Sequence, residues 1–215
     1  QPPRLWWTAP GETRVGQKRM YRIDMVEPTE ANDVSVDHQD EFVELRVKEA
    51  SVLRYNSARV TPPPEIKPIF GRSGFIHPLR TLAGVVVTDQ FPADHPHQNG
   101  IFLAYTKTEF EGRAPNFWDI LGETGRVRSS KIRRAGGGPI FGEMVVEQEH
   151  VDTSGPTENV ALRELWTIRV WNPAKPSNKC FICDVTSELR SASASAVRLV
   201  EHYYGGMAIR GARGW

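Results

Sequence analysis

Hydrophobic and polar positions alternate with a period of two over much of the chain. Val43, Leu45 and Val47 alternate with Glu44, Arg46 and Lys48, the pattern of a half-buried strand. The cleanest run spans residues 160–170. Val160, Leu162, Trp166, Ile168 and Val170 share one face with Glu164, and Ala161, Arg163, Leu165, Thr167 and Arg169 face the other way. Similar runs predict strands over 20–26, 52–55, 84–88, 100–106, 127–133, 141–151, 181–189 and 197–204. Residues 27–40 read as a polar loop, and 108–125 as a long loop anchored by Phe110, Phe117 and Trp118. No stretch of helical length carries a 3.6-residue period. About ten strands between Gly- and Pro-rich turns point to an all-β, antiparallel sandwich.

Residues 1–19 are rich in Pro, Gly and Arg and read as an irregular arm, pinned to the body by Trp6 and Trp7. Residues 20–215 read as a single β-sandwich domain. A chain of 215 residues with 39% hydrophobic content can bury a core without disulfides. The net charge of +1 argues against a nucleic-acid or membrane partner. The basic cluster Arg126, Arg128, Lys131, Arg133 and Arg134 reads as a solvated strand face. No apolar run reaches the ~18 residues of a membrane span. Cys180 and Cys183 have CxxC spacing within a strand-like run. Residues three apart in a strand face opposite sides, so the two read as buried free thiols that do not pair.

Candidate chemistry concentrates between Gly71 and Tyr105. This stretch holds Arg72, His77 and the run Asp94-His95-Pro96-His97-Gln98-Asn99-Gly100, followed by the apolar Ile101-Phe102-Leu103-Ala104-Tyr105. It reads as a polar loop delivered onto a buried strand, a common setting for functional groups. In extended structure His95 and His97 point the same way. With Asp94 or His77 they could hold a divalent metal, serve as acid or base without one, or bond to backbone in a Pro-braced loop. Glu164 interrupts an apolar face. Such a carboxylate is paired, for example with Arg169 or Arg210, or sits at a strand end near solvent, or is raised in pKa and suited to proton transfer. Glu201-His202-Tyr203-Tyr204 is a second polar cluster, and Gly205-Gly206 permits close backbone approach or a sheet corner.

Leu53-Arg54-Tyr55-Asn56, Phe75-Ile76-His77-Pro78-Leu79, Asp94-His95-Pro96-His97 with Gly100, Phe117-Trp118, and Tyr204-Gly205-Gly206-Met207 with Arg210-Gly211 occur in this order. The set resembles the bacterial DUF6807 family of unknown function, over residues 40–215. The resemblance implies a galactose-mutarotase-like β-supersandwich, carbohydrate work by analogy, and a periplasmic or extracellular location. It also implies further strands beyond the Tyr-Gly-Gly motif, so the expected sandwich lacks its C-terminal strands. The family has carried a methane oxygenase label, which the absence of a membrane-length apolar run opposes. Gln98 and Asn99 stand where family members often have a further His or Arg.

The expected function is therefore a carbohydrate-active enzyme acting on a sugar or glycoside in a concave sheet cleft. His95, His97 or His202 would act with Glu164 or Glu201 as acid and base. Arg72, His77, Asp94, Gln98, Asn99, Trp118, Tyr204 and Arg210 would bind a small-molecule or oligosaccharide ligand. No cofactor is expected. The alternatives are a non-catalytic glycan-binding sandwich and a cupin-like metal enzyme using a divalent ion at His77, His95 and His97.

Overall fold

The computed structural model describes residues 4–9, 11–24, 33–173 and 180–214. Its strands are β1 (Val34–His38), β2 (Phe42–Val47), β3 (Ala50–Asn56), β4 (Phe75–Leu79), β5 (Ile101–Tyr105), β6 (Thr108–Glu109), β7 (Gly125–Gly136), β8 (Phe141–Asp152), β9 (Asn159–Trp171), β10 (Ile182–Ser191), β11 (Arg198–Leu199) and β12 (Gly205–Ile209). The helical segments among the described residues are 3₁₀ turns at Pro68–Phe70 and Ile120–Gly122. One antiparallel sheet has the order β1-β2-β3-β4-β5-β12, a second the order β10-β9-β8-β7, and β11 and β6 form a small ribbon. The chain is an all-β antiparallel sandwich.

The alternating residues explain the packing. Val43 and Leu45 of β2, Tyr55 of β3 and Ile76 of β4 meet Met144, Val146, Trp166, Ile168 and Val170 of the second sheet in one core. Full burial of each such aliphatic side chain contributes about 1.5–3 kcal/mol. The register of β8 and β9 then sets up the functional region. Met144 pairs with Ile168 and Val146 with Trp166, after which Gln148 pairs with Glu164 and His150 with Leu162. The apolar ladder thus passes into polar rows on the same buried face. On the opposite face of the first sheet, Phe75, Phe102 and Ala104 pack with Phe110, Phe117 and Trp118 in a second core.

Several local expectations need correction. Residues 20–24 form no strand and lie exposed or nearly so, and residues 25 and 26 fall outside the described set. The first strand is instead Val34–His38, in the stretch read as a loop, where Val34 and Val36 pair with Val47 and Leu45. Residues 84–88 contribute only isolated bridges, Arg80 to Val86 and Thr88 to Gly211. The run expected over 197–204 reduces to Arg198–Leu199, and the Tyr-Gly-Gly motif opens β12 in place of a corner. Among the described residues, β12 pairs only with β5. Its Met207 and Ile209 partner the buried Leu103 and Ile101 but remain 45% and 64% exposed. Cys180 and Cys183 are both free, but Cys180 is exposed and Cys183 half-buried. Trp6 of the arm packs edge-on against Phe141 and Trp171, with ring centroids 5.8 and 5.5 Å apart.

Candidate functional site

A cleft of about 750 Å³ lies beside the polar rows. Val127 and Ser129 of β7 line it, and these residues are the cross-strand partners of His150 and Gln148. Arg72 and Ser73, which lead into β4, line the same cleft, with His97, Phe117 and Trp118. The aromatic pair is placed by a short turn. Asn116 Oδ1 accepts the N–H groups of Trp118 and Asp119, each at 2.9 Å, and the Phe117 N–H donates to the Tyr105 carbonyl. Trp118 is only 8% exposed. Its ring sits 4.9 Å from that of Phe102 and stacks on Tyr204 at 5.9 Å, so it anchors the loop.

Charge in the cleft is mainly positive. Arg59, Arg72, Arg126 and Arg128 line it against Glu123 and Glu158. Arg126 and Arg128 both pair with Glu158, and Arg128 also reaches Glu149 at 2.9 Å. These are two of the residues read as a solvated strand face; Arg133 and Arg134 of the same strand pair with Glu147 and Glu143. The Arg72 guanidinium lies over the Phe102 ring at 5.2 Å, and Nη1 donates to the His97 carbonyl at 3.4 Å. Burial pulls its pKa down to about 10, against the Tyr55 and Glu164 groups that favour its charge. His97 is half-buried, and burial pushes its pKa below the usual imidazole value, partly opposed by Asp119.

The histidine loop is braced from within and from β12. Asn99 is fully buried, where it accepts the Phe91 N–H at 2.8 Å and donates to the Pro96 carbonyl at 3.3 Å. Gly100 ends the loop at φ +54°, and a Cβ there would stand 1.9 Å from the Ile76 carbonyl oxygen. Arg210 donates to Asp94 at 2.9 Å and to Gln98 at 3.2 Å. The His95 hydrogen bond, followed by Arg210, holds the Asp94 carboxyl down at about 2. The loop is a turn and not an extended segment, since the Gln98 N–H donates to the His95 carbonyl. His95 and His97 therefore meet edge to face instead of projecting in parallel. Their rings are 5.8 Å apart and near perpendicular, with His95 exposed and His97 lining the cleft.

The other candidate residues lie apart. His77 bonds through Nδ1 to Thr88 Oγ1 at 2.9 Å, and burial lowers its pKa. Glu201 and His202 are exposed, and His202 Nδ1 accepts the Tyr204 N–H at 3.1 Å. His202 stacks on Tyr203 with centroids 4.8 Å apart, and Tyr203 lies 4.3 Å from Tyr204. The expected convergence of His95, His97 and either His77 or His202 on one cleft is corrected: of these four, His97 alone lines it. Among the described residues, no group of three or more His, Cys, Asp or Glu side chains is placed to hold a metal ion, so His77, His95 and His97 do not form a ligand set.

Glu164 is completely buried, and its partner is neither Arg169 nor Arg210. Arg169 pairs with Glu143, and Arg210 with Asp94. Glu164 Oε2 lies 2.8 Å from Nε2 of the equally buried His150. Oε1 accepts from Ser187 Oγ at 2.6 Å and from the Trp166 indole N–H. His150 and Gln148 are absent from the residues that the sequence singles out above. Both interrupt the apolar face of 141–151 as Glu164 interrupts that of 160–170, so the same signal is present twice.

No curated protein and no solved structure matches the chain. No helix among the described residues is long and apolar enough to cross a membrane. Residues 42–215 match the model of one protein family, described as a family of unknown function. By that match the chain belongs to the DUF6807 family.

Proposed function

We propose that the protein binds a sugar or glycoside in the cleft floored by Arg72 and Ser129 and acts on it by acid–base chemistry. The observation that carries this reading is the cleft itself. Its volume falls in the range of small-molecule sites, about 300–1,000 Å³. Its lining mixes hydroxyls of Ser57, Ser129, Thr153 and Thr157 with charged groups, which suits a polyhydroxylated ligand. Four arginines against two glutamates favour a sugar that carries a carboxylate or another anionic group. His97 supplies the imidazole. Burial keeps it neutral near pH 7, as a base requires. Glu123 lines the same cleft and makes no ion pair among the described residues, so its carboxylate is free to accept a hydrogen bond from a ligand hydroxyl.

A second reading, a non-catalytic glycan-binding module, draws on a different observation. His202, Tyr203 and Tyr204 form an exposed aromatic cluster, with Tyr203 84% exposed. Sugar rings stack on such platforms. The mutarotase-like supersandwich and a periplasmic or extracellular location belong to the same proposal; the two packed antiparallel sheets support the sandwich part of it.

Turnover separates the two readings. The purified chain is incubated with neutral and uronic-acid oligosaccharides, and the anomeric proton signals are followed by NMR. Catalysis predicts a change that is lost in His97→Ala while the melting temperature stays nearly constant. Binding without any change, abolished by Tyr203→Ala and not by His97→Ala, favours the module.

A further inference from the structure

The buried end of the sandwich holds more polar groups than its own side chains satisfy. Glu164 accepts from Trp166 and Ser187 and pairs with Nε2 of His150. Its neighbours are left with unpaired groups. Nδ1 of His150 and both amide atoms of Gln148 are buried without a hydrogen-bond partner, although each residue is 0% exposed. Nη2 of Arg72 is buried and unpartnered as well, and the buried Tyr55 hydroxyl faces Ser129 without closing a full hydrogen bond to it. Nearly all buried polar groups in folded proteins bond to protein or to ordered water. A buried water bonds to two to four polar partners, the kind of lining these orphan groups offer.

Their position gives the cluster a role. Ser129, Gln148 and Glu164 are consecutive cross-strand partners on β7, β8 and β9, which run from the cleft inward. Neighbouring strands are about 4.8 Å apart, so Gln148 lies one strand beneath the cleft lining and Glu164 two. Ser73 Oγ accepts the Ser129 N–H at 2.9 Å, which ties the two halves of the floor together. Gly74 follows at φ +76°, and a Cβ there would stand 2.4 Å from Gln148 Oε1. The amide therefore reaches the underside of the floor.

We propose that buried water, held by the Gln148 amide and the Tyr55 hydroxyl, joins the cleft floor at Ser129 to Nδ1 of His150, making Glu164 and His150 a proton-holding pair beneath the cleft. With the carboxylate accepting from Nε2–H, the imidazole presents Nδ1 as a bare acceptor. A proton leaving a ligand hydroxyl over Ser129 passes to the nearest water, and that water passes one of its own to Nδ1. The ligand becomes an alkoxide, the imidazole an imidazolium held against Glu164, and no electrons change hands. Gln148 and Tyr55 are positioning residues in this path. The use of the path on a sugar hydroxyl rests on the cleft reading above, whereas the path itself does not.

A high-resolution crystal structure of the wild-type chain, with imidazole ¹⁵N spectra of His150, tests the proposal. The expected result is water within about 3.2 Å of the Gln148 amide and of Nδ1, with the proton on Nε2. In Gln148→Met the water is lost and the Nδ1 resonance moves, while that of His77 stays in place. Absence of water in the wild type, direct pairing of the orphan groups with protein atoms, or an unmoved Nδ1 resonance in a folded Gln148→Met overturns it. The wild-type structure decides even where the variant does not fold. Water present with no sugar bound at any concentration sinks the cleft reading alone; sugar bound with the interior dry sinks this one alone.

Discussion

Nε2 of His150 and Oε2 of Glu164 lie 2.8 Å apart in the sandwich interior, and neither side chain is exposed to solvent. Removing one partner of such a pair strands the other. Glu164→Ala is expected to destabilise the fold by about 3–5 kcal/mol, read from urea unfolding at neutral pH. The double change Glu164→Leu with His150→Leu removes both polar groups together and is expected to retain more stability than Glu164→Ala. Equal loss in both variants would mean that packing, not pairing, dominates here.

The end of the histidine loop is fixed by backbone contact. Gly100→Ala places a methyl against the Ile76 carbonyl at a positive φ, and is expected to lower stability by well over ~1 kcal/mol. Gly84 has φ +79°, but a methyl added there would meet no atom within 4 Å, so Gly84→Ala carries only the φ strain. A thermal melt of the two variants side by side checks the ranking.

Acid sensitivity follows from His77 and His97. Burial lowers both folded-state pKa values below the unfolded value of about 6.5. Between the two values the unfolded chain binds more protons, so stability present above about 6.5 is lost as the pH falls through the folded-state values. The melting temperature is expected to drop from about pH 7 toward about pH 5. A His77→Gln, His97→Gln double variant should show a flatter profile over that window, and an unchanged slope would place the acid response elsewhere.

Much of the sandwich was legible in the sequence because period-two alternation survives wherever one strand face is buried. Residues 43–47, 141–151 and 160–170 fall within β2, β8 and β9. The apolar residues over 20–24 misled, since an alternating run with no partner strand beside it forms no sheet. The polarity of Glu164 was readable, but its partner was not, because pairing depends on the β8–β9 register that sets Gln148 opposite Glu164. The different exposure of His95 and His97 was hidden for a related reason. Alternation of side chains holds in extended backbone, and the loop turns between them.

The central claim is that a sugar sits against Arg72, His97 and Ser129. A titration of the ¹⁵N-labelled chain with uronic-acid and neutral oligosaccharides, followed by NMR, tests it most directly. The account predicts saturable shifts at Arg72, His97, Trp118 and Ser129, stronger for the acidic sugars and weakened in Arg126→Ala. Shifts confined to Tyr203 and its neighbours, or no saturable shift with any sugar, would contradict it.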